Sequence, residues 1–234
     1  MACERWRFRV MKPNGRWRRE TNGQNRNASE GVRVRHEIGA AWSLTTAPTE
    51  EPVTLNDLKL HARISGTDSD DLLDFYRIAA REAAEAYMGR GILTQTWTLL
   101  LDGFADVISL PMAAPLQSVT WVKYYDENGT QQTLATSVYD TDTVSRPGRV
   151  VLKVDQSWPG TQSSRRNGIV EIKYVVGWTS PDLVPERIKH GIRQYATYLD
   201  LDRDGLDVRA AEAKQTAERC WDDKIYWNPP CWGE

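Results

Sequence analysis

The sequence is poor in the residues from which metal centres and disulfide scaffolds are built. Its three cysteines, Cys3, Cys220 and Cys231, form no CxxC pair and are widely scattered, so reduced thiols are expected. The three histidines, His36, His61 and His190, show no HExxH or related spacing, which leaves no zinc motif. No apolar run approaches the roughly 18 to 20 residues a bilayer-crossing helix needs. The opening MACERWRFRV carries positive charge but no apolar stretch of signal-peptide type. A soluble chain made in the cytoplasm is the expectation. Neither G-x-S-x-G nor a P-loop occurs, and no repeat of solenoid period is apparent.

Charge and aromatics are present and unevenly placed. Residues 1–40 hold ten basic side chains against four acidic ones, or +6; with −2 for the chain, the remaining residues carry −8. That is a basic arm on an acidic body. The arm, residues 1–47, is rich in Arg, Asn and Gly and lacks the apolar material for its own core. It is expected to be extended. Trp6, Phe8 and Val10 alternate with Arg5, Arg7 and Arg9, a period of two suited to an edge strand or hairpin against a partner surface.

The body, residues 48–205, begins with helical patterns. Thr54 and Asp57 have capping-box spacing, and Leu55, Leu58 and Ala62 share a face over 54–64. Over 71–88, Leu72, Phe75, Tyr76, Ala79, Ala80, Ala83 and Tyr87 recur at three- and four-residue steps, with Gly89 as the stop. From 92 to 176 the pattern becomes short β-rich runs: 94–101, 107–110, 118–125, 131–134, 138–141, 150–154 and 169–176. Asn128-Gly129 is a hairpin signal between two of them. Helical spacing returns over 185–200, with Pro185 in the first turn and Ile188, Ile192, Tyr195, Ala196 and Leu199 on one stripe. Residues 206–234 read as a last helix from about Val208 to Trp221, followed by an aromatic tail. The fold class expected is α+β: helices from both flanks pack as a bundle around a central β-rich insertion, a small sheet or sandwich.

Three motifs carry a resemblance. Residues 54–63 read T-L-x-x-x-K-x-H-x-R, residues 80–97 read A-R-E-x-x-E-x-Y-x-G-R-x-x-x-x-Q-T-W, and residues 115–120 read P-L-Q-S-V-T. In this order, the span from about Glu51 to Asp204 resembles the head–tail connector, or head-completion adaptor, proteins of tailed double-stranded-DNA phages. The resemblance implies a non-enzymatic virion protein located in the neck and assembled in the host cytoplasm. It further implies a closed dodecameric ring beneath the portal protein that extends the DNA channel and offers a platform for the next neck or tail protein. DNA would pass through the lumen without specific binding. No cofactor and no membrane partner is implied. Both ends depart from the pattern.

Those ends supply the candidate contact residues. Trp221, Ile225, Tyr226, Trp227 and Trp232 crowd a short Pro-containing stretch, and aromatic anchors dominate interface energetics, at about 2 kcal/mol or more per hot spot. Docking on the portal or a neighbouring subunit is the expectation; folding back on the chain's own helices is the competing one. In the arm, Arg5, Trp6, Arg7, Phe8, Arg9, Arg16, Trp17, Arg18 and Arg19 interleave guanidinium and aromatic groups. Such a pattern can bind phosphates and stack on bases. A sliding genome argues for an acidic protein surface instead. Asp200, Asp202, Asp204 and Gly205 copy the start of a calcium loop, but position twelve is Ala211, so the metal reading is weak and an acidic turn with Asp207 as helix cap is preferred. Asp68, Asp70, Asp71 and Asp74 suit the start of a helix, where carboxylates complement the dipole and cap amides. The rival class is a stand-alone β-rich module binding saccharide or nucleic acid with a basic arm.

Overall fold

The computed structural model describes residues 39–162, 168–202 and 208–222. Residues 1–38, 163–167, 203–207, which include the expected helix cap Asp207, and 223–234 lie outside the described residues.

The first helix, α1 (Leu55–Ala62), starts as its sequence dictates: Thr54 Oγ1 accepts from the Asp57 amide at 3.1 Å, and Asp57 accepts from the Thr54 amide at 3.3 Å. It stops at Arg63, held at φ 56. The second, α2 (Asp70–Met88), ends on Gly89 at φ 63, whose amide donates to the Glu85 carbonyl. Its buried apolar stripe is Leu73, Ala80, Ala84 and Met88. The stripe read from the sequence is therefore turned by about one residue: Leu72, Phe75 and Tyr87 face outward. Two overlapping apolar stripes run along this helix, and packing selects the one whose small alanines allow close approach.

Pro185 sits at the N-cap of α3 (Glu186–Leu201), one residue before the helical turn it was expected to occupy, and a 3₁₀ turn at Pro181–Leu183 precedes it. The last helix, α4 (Val208–Trp221), buries Ala210, Ala213, Ala217 and Trp221. All four helices contribute to one apolar cluster, centred on Leu58, Leu73, Ala80, Ala84, Ile188, Ile192 and Trp221.

Among the described residues, eight strands form two antiparallel sheets. The larger has the order β1-β2-β8-β4-β5, with β1 at Ala40–Thr46, β2 at Gln95–Leu101, β4 at Leu116–Tyr125, β5 at Gln131–Thr133 and β8 at Val170–Val176. The smaller has the order β3-β7-β6, from Val107–Ser109, Arg149–Leu152 and Tyr139–Asp142. Central strand β8 alternates without a fault: Val170, Ile172, Tyr174 and Val176 are buried and the residues between them are not. Leu99, Leu101, Val122 and Ile172 of the larger sheet and Ile108, Tyr139 and Val150 of the smaller share one core. At the β4–β5 turn only Gly129 adopts positive φ (79°), and the Asp126 carboxylate accepts from the amides of Asn128 and Thr130.

The molecule is thus mixed α+β. One strand lies where no strand was expected: β1 is drawn from the end of the segment read as an extended arm, and it pairs antiparallel with β2, Trp42 opposite Leu99 and Leu44 opposite Trp97. Because β1 precedes α1, the larger sheet takes strands from both sides of the first two helices.

Candidate assembly surface

The three motifs behind the resemblance are the joints between these elements. In the first, Lys59 Nζ donates to Asp70 at 2.7 Å, tying α1 to the start of α2, and His61 meets His190 of α3 edge-on with ring centroids 6.0 Å apart. Burial, with His190 and Arg193 nearby, holds His61 below its ordinary pKa. In the third, Gln117 Nε2 donates to the Gly177 carbonyl at 2.8 Å and to Thr94 Oγ1 at 2.9 Å, locking β4 to the end of β8.

The second motif builds an ion network at the turn from α2 into β2. Arg81 is 5% exposed and bridges two carboxylates: Nε donates to Glu51 at 3.0 Å and Nη1 to Glu85 at 2.8 Å. The other Glu85 oxygen accepts from the Ile92 amide at 2.8 Å and from Gln95 Nε2 at 2.6 Å. Burial pushes both carboxyls up from the usual glutamate value, and Arg81 opposes that rise. Removing any one partner would leave a desolvated charge, so the network fixes where β2 starts relative to α2.

Around this network lies an apolar groove of about 500 Å³. Ala86 and Tyr87 of α2 form one wall, Trp42 and Leu44 of β1 the other, and Trp97 and Met112 complete it, with Glu82 at the rim. Trp42, Leu44 and Tyr87 are each nearly half exposed. Two buried polar atoms in its lining have no hydrogen-bond partner: Gln95 Oε1, an acceptor, and Trp97 Nε1, a donor. Sequence reasoning passed over Trp42, Leu44, Glu51 and Met112, and saw Gln95 only as a member of the 80–97 motif. The period-two run Ala40-Trp42-Leu44 was the available signal, masked by its place at the end of a polar, Arg-rich segment.

Of the aromatic contact candidates, Trp221 requires correction. It is 2% exposed, its Nε1 donates to the Ile188 carbonyl at 3.4 Å, and its ring lies against Tyr87 and Tyr195. Gly191 of α3 makes room for it: a Cβ there would fall 2.8 Å from Trp221 Cδ1 and Cε2. Trp221 is a core residue at the end of α4 because that helix carries only alanines above it and needs one large side chain to fill the space against α3. Ile225, Tyr226, Trp227 and Trp232 lie outside the described residues, as do Arg5, Trp6, Arg7, Phe8, Arg9, Arg16, Trp17, Arg18 and Arg19. Of the calcium-loop acids, Asp200 is in α3, Asp202 caps its end and bonds the Tyr198 hydroxyl, raising that phenol's pKa, and Asp204 is outside the described residues. No group of three or more His, Cys, Asp or Glu side chains among the described residues could hold a metal ion. Asp70 and Asp71 stand in the first turn of α2, where their charge complements the dipole, but no acid caps the helix: Ser69 is the N-cap and makes no side-chain cap bond, while Asp70 pairs with Lys59 and Asp74 with Arg77.

The fold has counterparts among solved structures. A neck chain of an empty gene transfer agent particle, computed with C6 symmetry, superposes with a TM-score of 0.63 at 19% identity, covering 77% of this chain and 94% of that one. The fold is that of neck chains of gene transfer agents. A chain from the virion of the native gene transfer agent particle gives 0.61 at 21% identity over 76% of this chain and 93% of that one. A neck chain of the native particle, computed with C12 symmetry, gives 0.57 at 21% over 77% and 94%. No family model and no curated protein matches the sequence.

Proposed function

We propose that this chain is a structural subunit of a virion neck, a connector that forms a ring below the portal, continues the DNA channel and receives the next neck or tail protein. The observation that carries the reading is the coverage of the fold match: 94% of a gene transfer agent neck chain is spanned by this one. The sequence resemblance to phage connectors, found independently in the residues of 54–63, 80–97 and 115–120, points the same way. We read α1–α4 as one bundle and the two sheets as the β-rich unit carried with it. A ring of identical copies needs a heterologous contact that closes. The acidic body suits a conduit through which a polyanion must slide, since like charge keeps it from sticking. The basic arm, with Arg5, Arg7, Arg9, Arg16, Arg18 and Arg19, is assigned to an acidic surface of the portal or of a neighbouring copy.

The test is to mix the purified chain with its cognate portal and image the product by electron microscopy. Closed rings on the portal, lost when residues 1–38 are deleted or when salt is raised, are the expected result. A chain that stays apart from the portal and instead binds oligosaccharide or nucleic acid on its own would replace this reading with the stand-alone binding module.

A further inference from the structure

The groove between α2 and β1 is a half-finished core. The face of β2 that carries Gln95, Trp97, Leu99 and Leu101 continues directly onto Trp42 and Leu44 of β1, since Trp42 pairs with Leu99 and Leu44 with Trp97. Leu99 and Leu101 are covered completely, whereas Trp42 and Leu44 are 45% and 44% exposed. Tyr87, across the groove, is 49% exposed. The volume of about 500 Å³ lies within the roughly 300 to 1,000 Å³ typical of pockets that bury a ligand of drug size. Gln95 Oε1 and Trp97 Nε1 lie beneath this lining, closed off from solvent, so what the groove offers an occupant is apolar wall. An apolar, aromatic segment would cover it.

The chain itself carries such a segment at the groove's edge. The description ends at Asp222, next to Trp221, whose ring centroid is 6.0 Å from that of Tyr87. Asp222 and Glu218 also act electrostatically on the Tyr87 hydroxyl. The residues that follow are Asp223, Lys224, Ile225, Tyr226, Trp227 and Asn228. Ile225 is three residues beyond Asp222, and an extended chain covers up to about 3.3 to 3.6 Å per residue, so Ile225 to Trp227 reach past Tyr87 without strain.

We propose that Ile225, Tyr226 and Trp227 seat in the α2–β1 groove of their own chain, their side chains covering Trp42, Leu44 and Tyr87. Tethering favours the chain's own segment over a free partner, because a short linker sets an effective concentration in the millimolar range. This goes beyond the neck reading and does not depend on it, and the free subunit alone decides it. Aromatic side chains that the sequence assigned to the portal or a neighbouring subunit thereby complete the subunit's own surface.

The experiment uses the full chain with Cys3→Ser, Cys220→Ala and Cys231→Ser, carrying Ala86→Cys and Trp227→Cys, under a mild oxidant. Ala86 is exposed on α2, so the variant should fold, which circular dichroism checks. The expected result is an intramolecular disulfide that forms at a rate independent of protein concentration. It should outpace by roughly tenfold or more a control pairing Trp227→Cys with Val144→Cys, in line with the effective-concentration advantage of a docked segment. A cross-link that forms only between chains, with a rate rising with concentration, or one no faster than the control, overturns the proposal. A second measurement uses Ala86→Arg in the otherwise native chain. Tryptic cleavage after Lys224, followed by mass spectrometry, should speed up by roughly tenfold if docking protects the site, and an unchanged rate counts against the proposal.

Discussion

Gly191 and Trp221 form a pair whose energetics can be separated by a sign. Gly191 lies in the interior of α3, where glycine costs about 0.8 to 1.0 kcal/mol relative to alanine. On propensity alone, Gly191→Ala would stabilise the protein by that amount. The added Cβ, however, would lie 2.8 Å from two carbons of the Trp221 indole and nearer still to Nε1. Overpacking of a filled core typically costs about 1 to 3 kcal/mol. The net expectation is a loss of up to about 2 kcal/mol. In a Trp221→Leu background, itself lower by about 2 to 3 kcal/mol for the lost ring and partial cavity, the clash is gone. There Gly191→Ala should stabilise by about 1 kcal/mol. The assay is urea unfolding of the four proteins followed by far-ultraviolet circular dichroism, with equal m-values as the condition for comparison. The coupling, about 1 to 3 kcal/mol, is well above the few tenths by which unrelated sites fail to add. The same effect of Gly191→Ala in both backgrounds, or a stabilising effect in the native one, would refute the close-packing account of α3 and α4.

Two further predictions concern the joints. Glu85→Ala should lower stability by about 3 to 5 kcal/mol, because Arg81 loses one buried partner and the Ile92 amide and Gln95 lose their acceptor. Thermal or urea midpoints measure it, and Glu82→Ala, whose carboxylate is largely exposed, should stay within about 0.5 kcal/mol of the native protein. His61 titrates below its ordinary 6.5 in the folded chain because burial, His190 and Arg193 all disfavour its charge. The unfolded chain then takes up a proton that the native state resists, so this contribution to stability is lost as pH falls from 6.5 through the folded pKa. Nuclear magnetic resonance of the imidazole protons should show His61 moving up toward 6.5 in His190→Gln; a native His61 titrating at or above that value would contradict the α1–α3 contact as described.

What could be read in the residues was what local chemistry settles. The Thr54–Asp57 box starts α1, Gly89 stops α2, the Asn128-Gly129 turn sets β5 against β4, and the alternation from Val170 to Val176 makes a central strand; each depends on neighbours within a few positions. The motif at 80–97 was also visible, as a spacing of Arg, Glu, Tyr, Gln and Trp, although nothing local said that Glu51, thirty residues upstream of Arg81, would close its ion network.

Tertiary structure decided the rest, for one physical reason: a side chain's burial depends on which surface arrives opposite it. Along α2 two apolar stripes competed, and contact with α3 chose the one containing Ala80 and Ala84, leaving Phe75 and Tyr87 outside. Ala40–Thr46 became a strand because the edge of β2 offered unpaired backbone groups to its period-two run. Trp221 looked like a loose anchor among other tail aromatics until Gly191 supplied the space that buries it. The sequence by itself determined the helices, most of the strands and the caps and turns that bound them; only the packed chain recruited Ala40–Thr46 to the sheet and determined which aromatics are core and which line an open groove.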